Sequence, residues 1–273
     1  MNKDISQKNS SFWNELCGTQ IAKHLGVRDD SVESLKKFDE WYFDFYPYLD
    51  TYIPFAGLEG KDVLEVGLGY GSVAQRLVEN GCNYHGLDIA SGPVSMVKHR
   101  INQIGLRGTV LHGSILSPPF SERSFDAIVA IGCLHHTGDL RLALKKCHEL
   151  LRPGGKLIFM VYYAYSYRRW YSNFSITLQY LYKELFGFRG VVPYSSDADR
   201  AAYDRSSDGD GAPHTDWISK KSLMAYCSEF ERISCRTENI AQEPPFIMCS
   251  RGCLMRTFLP RVVGLDLYAV AIK

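Results

Sequence analysis

The feature that most restricts the fold is an unbroken alternation of strand and helix patterns between Gly60 and Tyr162. KDVLEVGLGYG holds a short apolar strand, Asp62 to Val66, that runs into a glycine-rich turn, and SVAQRLVENG has the spacing of a helix stopped at Gly81. NYHGLDIA reads as a strand, PVSMVKHRINQIG as a helix opened by Pro93 and closed by Gly105, and GTVLHGS as another strand. Phe125 to Ile131 is a continuous apolar strand, Leu140 to Leu151 a helix ended by LRPGG, and KLIFMVYY a further strand. Strands so uniformly apolar are buried on both faces, and helices between them impose right-handed crossovers on parallel neighbours. The expected core is an α/β, doubly wound parallel sheet.

The tail departs from the alternation. Lys220 to Phe230 reads as a helix, and Arg232 to Ile240 and Val262 to Ile272 read as strands with little helical pattern between them. Two strands joined by a loop pair antiparallel. That loop carries Pro244, Pro245 and Pro260 and is expected to be irregular at both ends. Two further segments lie outside the core pattern. Residues 1–57 include FDEWYFDFYPYLDTYIPF, helical up to Pro47, and are expected to form an N-terminal helical cap. Residues 163–214 interrupt the main domain, 58–273, after its fifth strand. They open with AYSYRRWYSNFSITLQYLYKELFGF, a helix or helical pair, and continue into the acidic SSDADRAAYDRSSDGDGAPHT. Such an excursion from a compact domain is usually functional or disordered.

Composition narrows the partners. In 273 residues, 31 Lys and Arg stand against 30 Asp and Glu, a net charge of +1, which argues against a surface built to neutralise duplex nucleic acid. No apolar run approaches the ~18 residues of a membrane span, and MNKDISQKNSSFW has no apolar stretch to make it a secretory signal. The eight cysteines show no paired CxxC spacing, and Cys249 and Cys253 lack a second ligand pair. No metal site is expected, and reduced thiols fit a cytoplasmic protein.

The chemistry concentrates at the ends of the first two strands. Glu65-Val66-Gly67-Leu68-Gly69-Tyr70-Gly71 turns the chain tightly, leaves room for a ligand against the backbone, and presents the N–H groups of the next helix to it. Asp88, ending the second strand, is placed to accept both hydroxyl protons of a ribose. Together they point to a nucleoside; the alternative is a merely tight turn beside a surface acid. A dinucleotide fingerprint needs a sixth-position glycine where this chain has Ser72.

Four segments, VLEVGLGYG, GLDIA, SFDAIVAIGCLHHTGDL and ALKKCHELLRPGGKLIFM, extend this reading. In that order they resemble the class I S-adenosylmethionine-dependent methyltransferases, particularly the group similar to ubiquinone and menaquinone biosynthesis methyltransferases. The resemblance implies a seven-stranded Rossmann-like sheet with an antiparallel final strand, and S-adenosyl-L-methionine as cofactor. It places Glu65, Gly67, Gly69 and Gly71 at the methionine end, Asp88 on the ribose and Ile89 against adenine. Ser114 and Ile115 stand where the family often has Asp and a small or apolar residue for the adenine amino group. Ile131 and Gly132 would contact the cofactor through their backbone, and Tyr42 and Tyr46 match tyrosines near its carboxylate.

Methyl transfer from a sulfonium depends on alignment and exclusion of water, with a general base needed only when the acceptor must lose a proton. Three histidines are candidates. His135 and His136 follow the fourth strand and either exchange protons or brace the pocket; His214, in APHTDW, either faces the site or stands beside Thr215 and Asp216 as they cap the next helix. Tyr162, Tyr163, Tyr165, Tyr167, Trp170 and Tyr171, with Arg168 and Arg169 among them, follow the fifth strand. They form a substrate lid or simply pack the insertion, with solvated arginines.

The leading expectation is a small-molecule methyltransferase acting on a natural product, quinone precursor or saccharide. The acidic run Asp197 to Asp210 and the lack of an NPPY-like tetrapeptide count against an RNA or protein methyltransferase. A non-catalytic cofactor-binding protein is a further alternative. The aromatic lid is also a possible homodimer face.

Overall fold

The computed structural model describes residues 3–273. Its strands are β1 (Asp62–Val66), β2 (Asn83–Asp88), β3 (Thr109–His112), β4 (Phe125–Ile131), β5 (Leu151–Tyr163), β6 (Trp217–Ile218), β7 (Arg232–Glu238) and β8 (Asp266–Ile272). They form one sheet in the order β3-β2-β1-β4-β5-β8-β7, with β6 beside β5 off that path. The ladders from β3 to β5 are parallel, and β8 runs antiparallel to both β5 and β7. The expected seven strands therefore gain an eighth of two residues, and the reversed last strand sits between two neighbours. The order reverses between β1 and β4, which opens a crevice at the carboxyl ends of the strands.

β5 divides the core. Ile158, Met160 and Tyr162 pack into the hydrophobic cluster on one face of the sheet, while Leu157, Phe159, Val161 and Tyr163 pack into the cluster on the other. This is the two-residue alternation of a strand buried on both sides.

Three local readings change. The segment between β7 and β8 holds two short helices, Arg251–Met255 and Leu259–Val263, and these delay the last strand to Asp266. Ser250 caps the first of them, accepting from the Cys253 N–H at 3.3 Å. The helix Lys220–Tyr226 is capped by Ser219 rather than Thr215 or Asp216, because Trp217 and Ile218 are taken into the sheet. The acidic run contains the helix Asp197–Ala201, closed at its start by the reciprocal hydrogen bonds of Ser196 and Asp199.

The cap is built on the helix Val32–Phe45, whose apolar face buries Leu35 and Phe38 and whose Ser31 caps its start. Its Asp39 accepts two hydrogen bonds from Arg100, at 2.8 and 3.0 Å, and one from the Ser72 hydroxyl at 2.5 Å. Arg100 is 2% exposed, so losing this partner would strand a buried charge. The insertion contributes the expected helical pair, Tyr167–Ser172 and Phe174–Leu185. On the second, Phe174, Leu178, Tyr182 and Leu185 form an exposed apolar stripe.

Candidate functional site

A cavity of about 400 Å³ lies over the carboxyl ends of β1, β2, β4 and β5. That is within the size range of small-molecule sites. The glycine turn forms part of its floor. Gly67 has φ 77°, and a Cβ there would stand 2.4 Å from the Cβ of Cys133, so only glycine fits the approach of this turn to the end of β4. Gly71, at φ 80°, caps the helix Ser72–Glu79 and aims its first N–H groups at the cavity.

Asp88 is held by its backbone neighbours. One carboxylate oxygen accepts from the Leu68 N–H at 2.7 Å and the other from the Ala90 N–H at 2.8 Å. Burial raises its carboxyl above the usual range, opposed by those same hydrogen bonds. Glu65 is 4% exposed, and burial pushes its carboxyl up to about 8 although it accepts a hydrogen bond from Tyr84 at 2.6 Å. It is a buried acid with a hydroxyl for a partner and no ion pair among the described residues, and a positively charged amine supplies what it lacks.

Glu65, Gly67, Gly69, Gly71, Asp88, Ile89, Ser114, Ile115, Ile131 and Gly132 all line this one cavity, as do Tyr42 and Tyr46 from the cap. Burial raises both of those phenols above their ordinary value, so they stand as neutral hydroxyls beside the floor.

The three histidines separate. His136 lines the cavity and is 4% exposed. Its Nδ1 lies 2.7 Å from the His214 carbonyl, and its Nε2 lies 3.4 Å from Asp204. His135 is fully buried off the cavity against the Tyr162 ring, and burial, followed by its histidine neighbours, lowers its pKa well below the ordinary value. That ring is neutral and packed. His214 also lies off the wall; its imidazole pairs with Asp216 at 3.1 Å while its carbonyl meets His136.

Of the aromatic and arginine candidates that end or follow the fifth strand, Tyr162 lines the cavity and the others do not. Tyr163 points to the opposite face of the sheet by strand parity, where Lys220 lies over its ring. Tyr165 donates to Glu184 at 3.1 Å and stacks on Trp170, fastening the insertion to itself. Arg168 donates to Glu243 at 2.7 Å and lies over Tyr203, and Arg169 is buried against Trp217. These four side chains and Tyr163 brace the wall from behind, and the expectation that the arginines face a substrate or solvent is corrected.

Several lining residues carried no legible signal. Trp13 and Cys17 come from the cap, Tyr203 and Asp204 from the insertion. Cys17 is an exposed free thiol at the cavity wall. Met160 and Tyr268 were within reach of strand parity, since they are cross-strand partners on the Tyr162 face. Among the described residues no group of three His, Cys, Asp or Glu side chains is placed to hold a metal ion, and no helix is long and apolar enough to cross a membrane.

Residues 64–159 match the family model described as a methyltransferase domain. The chain is similar to a ubiquinone biosynthesis O-methyltransferase of Pseudomonas aeruginosa, 30% identical over 105 residues that span 37% of this chain and 44% of that one. It is also similar to an uncharacterized methyltransferase of Geobacillus thermodenitrificans, 32% identical over 134 residues, 48% of this chain and 60% of that one. The chain thus spans about half the length of the curated relatives it matches. Solved structures of S-adenosylmethionine-dependent methyltransferases from Methanosarcina mazei and Mesorhizobium loti share its fold. Their TM-scores are 0.54 and 0.53 at 17% and 15% identity, each over 84% of this chain and 97% of the other. Residues 64–159 therefore carry a methyltransferase domain, on a fold shared with solved S-adenosylmethionine-dependent methyltransferases.

Proposed function

We propose that this protein transfers the methyl group of S-adenosylmethionine to a small-molecule acceptor enclosed between the cavity floor and a roof made by the cap and the insertion. The observation that carries this reading is a single cavity wall. It runs from the glycine turn and Asp88 to His136, Tyr162 and Asp204, beneath rings from both added segments. The aromatic enclosure excludes water from the reacting centre and sets its faces toward a cationic sulfonium, an attraction of about 0.5–2 kcal/mol.

In this reading Asp88 accepts the ribose hydroxyls, Glu65 meets the methionine ammonium through its buried carboxyl, and Tyr42 and Tyr46 stand near the methionine carboxylate. Ile89, Ser114 and Ile115 border the adenine, while Ile131 and Gly132 close the site from the end of β4. The cofactor supplies an electrophilic methyl; the chain aligns the acceptor and removes its proton where one must leave. His136 is the candidate base because it alone of the three histidines is on the wall. The eight cysteines, all free, suit a reducing compartment such as the cytoplasm, and the exposed stripe on Phe174–Leu185 suits a homodimer face.

The test is transfer of radiolabelled methyl from S-adenosylmethionine to mixed pools of phenols, sugars, amines, bulk RNA and protein. Label in the low-molecular-weight fraction is expected. Label confined to RNA or protein overturns the small-molecule reading. Cofactor binding without transfer to any pool leaves a non-catalytic binding protein.

A further inference from the structure

On the reading of the main cavity as a methyl-transfer site, we propose that a slot beside it holds the far end of the acceptor. That end is an aryl or alkyl chain carrying a carboxylate, and Arg205 is the residue that selects it. The slot, of about 190 Å³, lies between residues 12–21 of the cap and residues 203–206 of the insertion. It shares Trp13, Cys17, Gly18, Ile21, Tyr203 and Asp204 with the main cavity, so a molecule reaching past those side chains enters it.

The walls set what can lie there. Phe12 and Leu16 add to the shared Trp13, Ile21 and Tyr203, and such rings and aliphatic side chains favour an apolar section of the ligand. Ser207 sets the width by tying the insertion to the cap. Its N–H donates to Glu15 at 3.0 Å, its hydroxyl donates to the same carboxylate, and that hydroxyl accepts from Gln20 at 2.8 Å.

Three charged side chains border the slot, and two of them are engaged. Glu15 accepts both Ser207 donors, which hold its carboxyl below the usual range. Asp204 accepts from the Tyr162 hydroxyl at 3.1 and 2.9 Å and lies 3.4 Å from Nε2 of His136. Arg205 is the third. Its backbone pairs with Gly211, its side chain is exposed, and its guanidinium makes no hydrogen bond or ion pair among the described residues. It borders the slot and not the main cavity, which no lysine or arginine lines among the described residues. An anion beside the reacting atom would therefore meet Asp204 without a counter-charge, whereas an anion at the slot end meets a free guanidinium fork that can bind a carboxylate through two parallel hydrogen bonds.

The experiment titrates hydrocinnamate and its neutral amide into the full chain saturated with S-adenosylhomocysteine, by calorimetry. The acid should bind at least about tenfold more tightly than the amide. Arg205→Gln should abolish that preference, and Arg205→Lys should keep part of it, because an ammonium supplies the charge without the fork. Leu16 borders the slot and not the main cavity, so Leu16→Trp should fill the slot and weaken both ligands at least about tenfold while affinity for S-adenosylhomocysteine stays unchanged. In turnover, Arg205→Gln should raise KM for carboxylate-bearing acceptors about tenfold and leave kcat within about twofold. The proposal is overturned if wild type binds acid and amide equally or binds neither. It is equally overturned if Arg205→Gln keeps the preference, or if Leu16→Trp binds the acid as wild type does. A chain that takes up no S-adenosylhomocysteine would instead defeat the methyl-transfer reading, and the same titrations without it would still decide whether the slot selects a carboxylate.

Discussion

The floor of the cavity takes most of its side chains from one stretch of chain, Glu65 to Cys133, joined by Met160, Tyr162 and Tyr268 from later strands, whereas the roof draws Trp13 and Trp41 from the cap and Tyr203 and Asp204 from the insertion. The floor is held by ladder hydrogen bonds and by a turn that only glycine fits. The roof is held by a few side-chain ties that cross long sequence separations. Arg100 grips Asp39, Arg251 donates to the Phe45 carbonyl at 2.7 Å, Asn9 donates to the His136 carbonyl at 2.6 Å, and Ser207 donates through its N–H to Glu15 at 3.0 Å. Such a floor is rigid in the free protein, and such a roof can loosen without unfolding the sheet. An acceptor can enter a cavity built this way while the cofactor half keeps its shape.

The contrast is broken most severely at Asp88. Asp88→Ala removes a carboxylate and orphans two buried N–H groups, and S-adenosylmethionine affinity should fall at least about a hundredfold by calorimetry. Wild-type affinity in that variant would sink the assignment of the floor. Next comes the roof anchor. Asp39→Ala leaves Arg100 buried without its partner and should cost about 3–5 kcal/mol in denaturant unfolding. Hydrogen exchange should accelerate in Val32–Phe45 well before β1 and β4; equal acceleration in both would mean that floor and roof are one cooperative unit.

The floor also predicts a pH dependence. The Glu65 carboxyl is raised in the fold to about 8 from an ordinary 4.5, chiefly through burial. A raised acid binds its proton more tightly in the fold than in the unfolded chain. Its stabilisation is therefore complete below the ordinary value and lost as pH rises through the folded one. The cofactor-free protein should weaken between about pH 4.5 and 8, by up to about 1.4 kcal/mol per pH unit, and Glu65→Gln should remove that slope. Cofactor binding at pH 7 should release a proton from Glu65, read by calorimetry in buffers of different ionisation enthalpy and absent in Glu65→Gln. The smallest effect separates neighbours: Tyr162→Phe should slow transfer about tenfold, while Tyr163→Phe should stay within about twofold.

Much of the floor was legible because short-range rules govern it. β1 and β4 fall on the bounds given by the apolar runs, and the turn after β1 and Asp88 after β2 stand where strand ends and glycine chemistry put them. The roof was legible only as helices. The helix Val32–Phe45 buries Leu35 and Phe38, and nothing in SSDADRAAYDRSS distinguishes Asp204 from the acids around it. The helical loop before β8 was missed for the opposite reason, since its prolines masked two short helices, one with a proline at its start.

The sequence by itself determined the sheet, the glycine turn and the acids at the ends of β1 and β2. Strand period, helix period and the backbone needs of a tight turn are properties of a few consecutive residues. Tertiary structure alone decided which histidine of His135 and His136 meets the cavity, which tyrosine of Tyr162 and Tyr163 shares its wall, and that Asp204 stands opposite an imidazole 68 positions earlier in the chain. Those choices depend on which face of the sheet the cap and insertion cover. That covering is set by contacts between segments far apart in sequence, to which no local period corresponds.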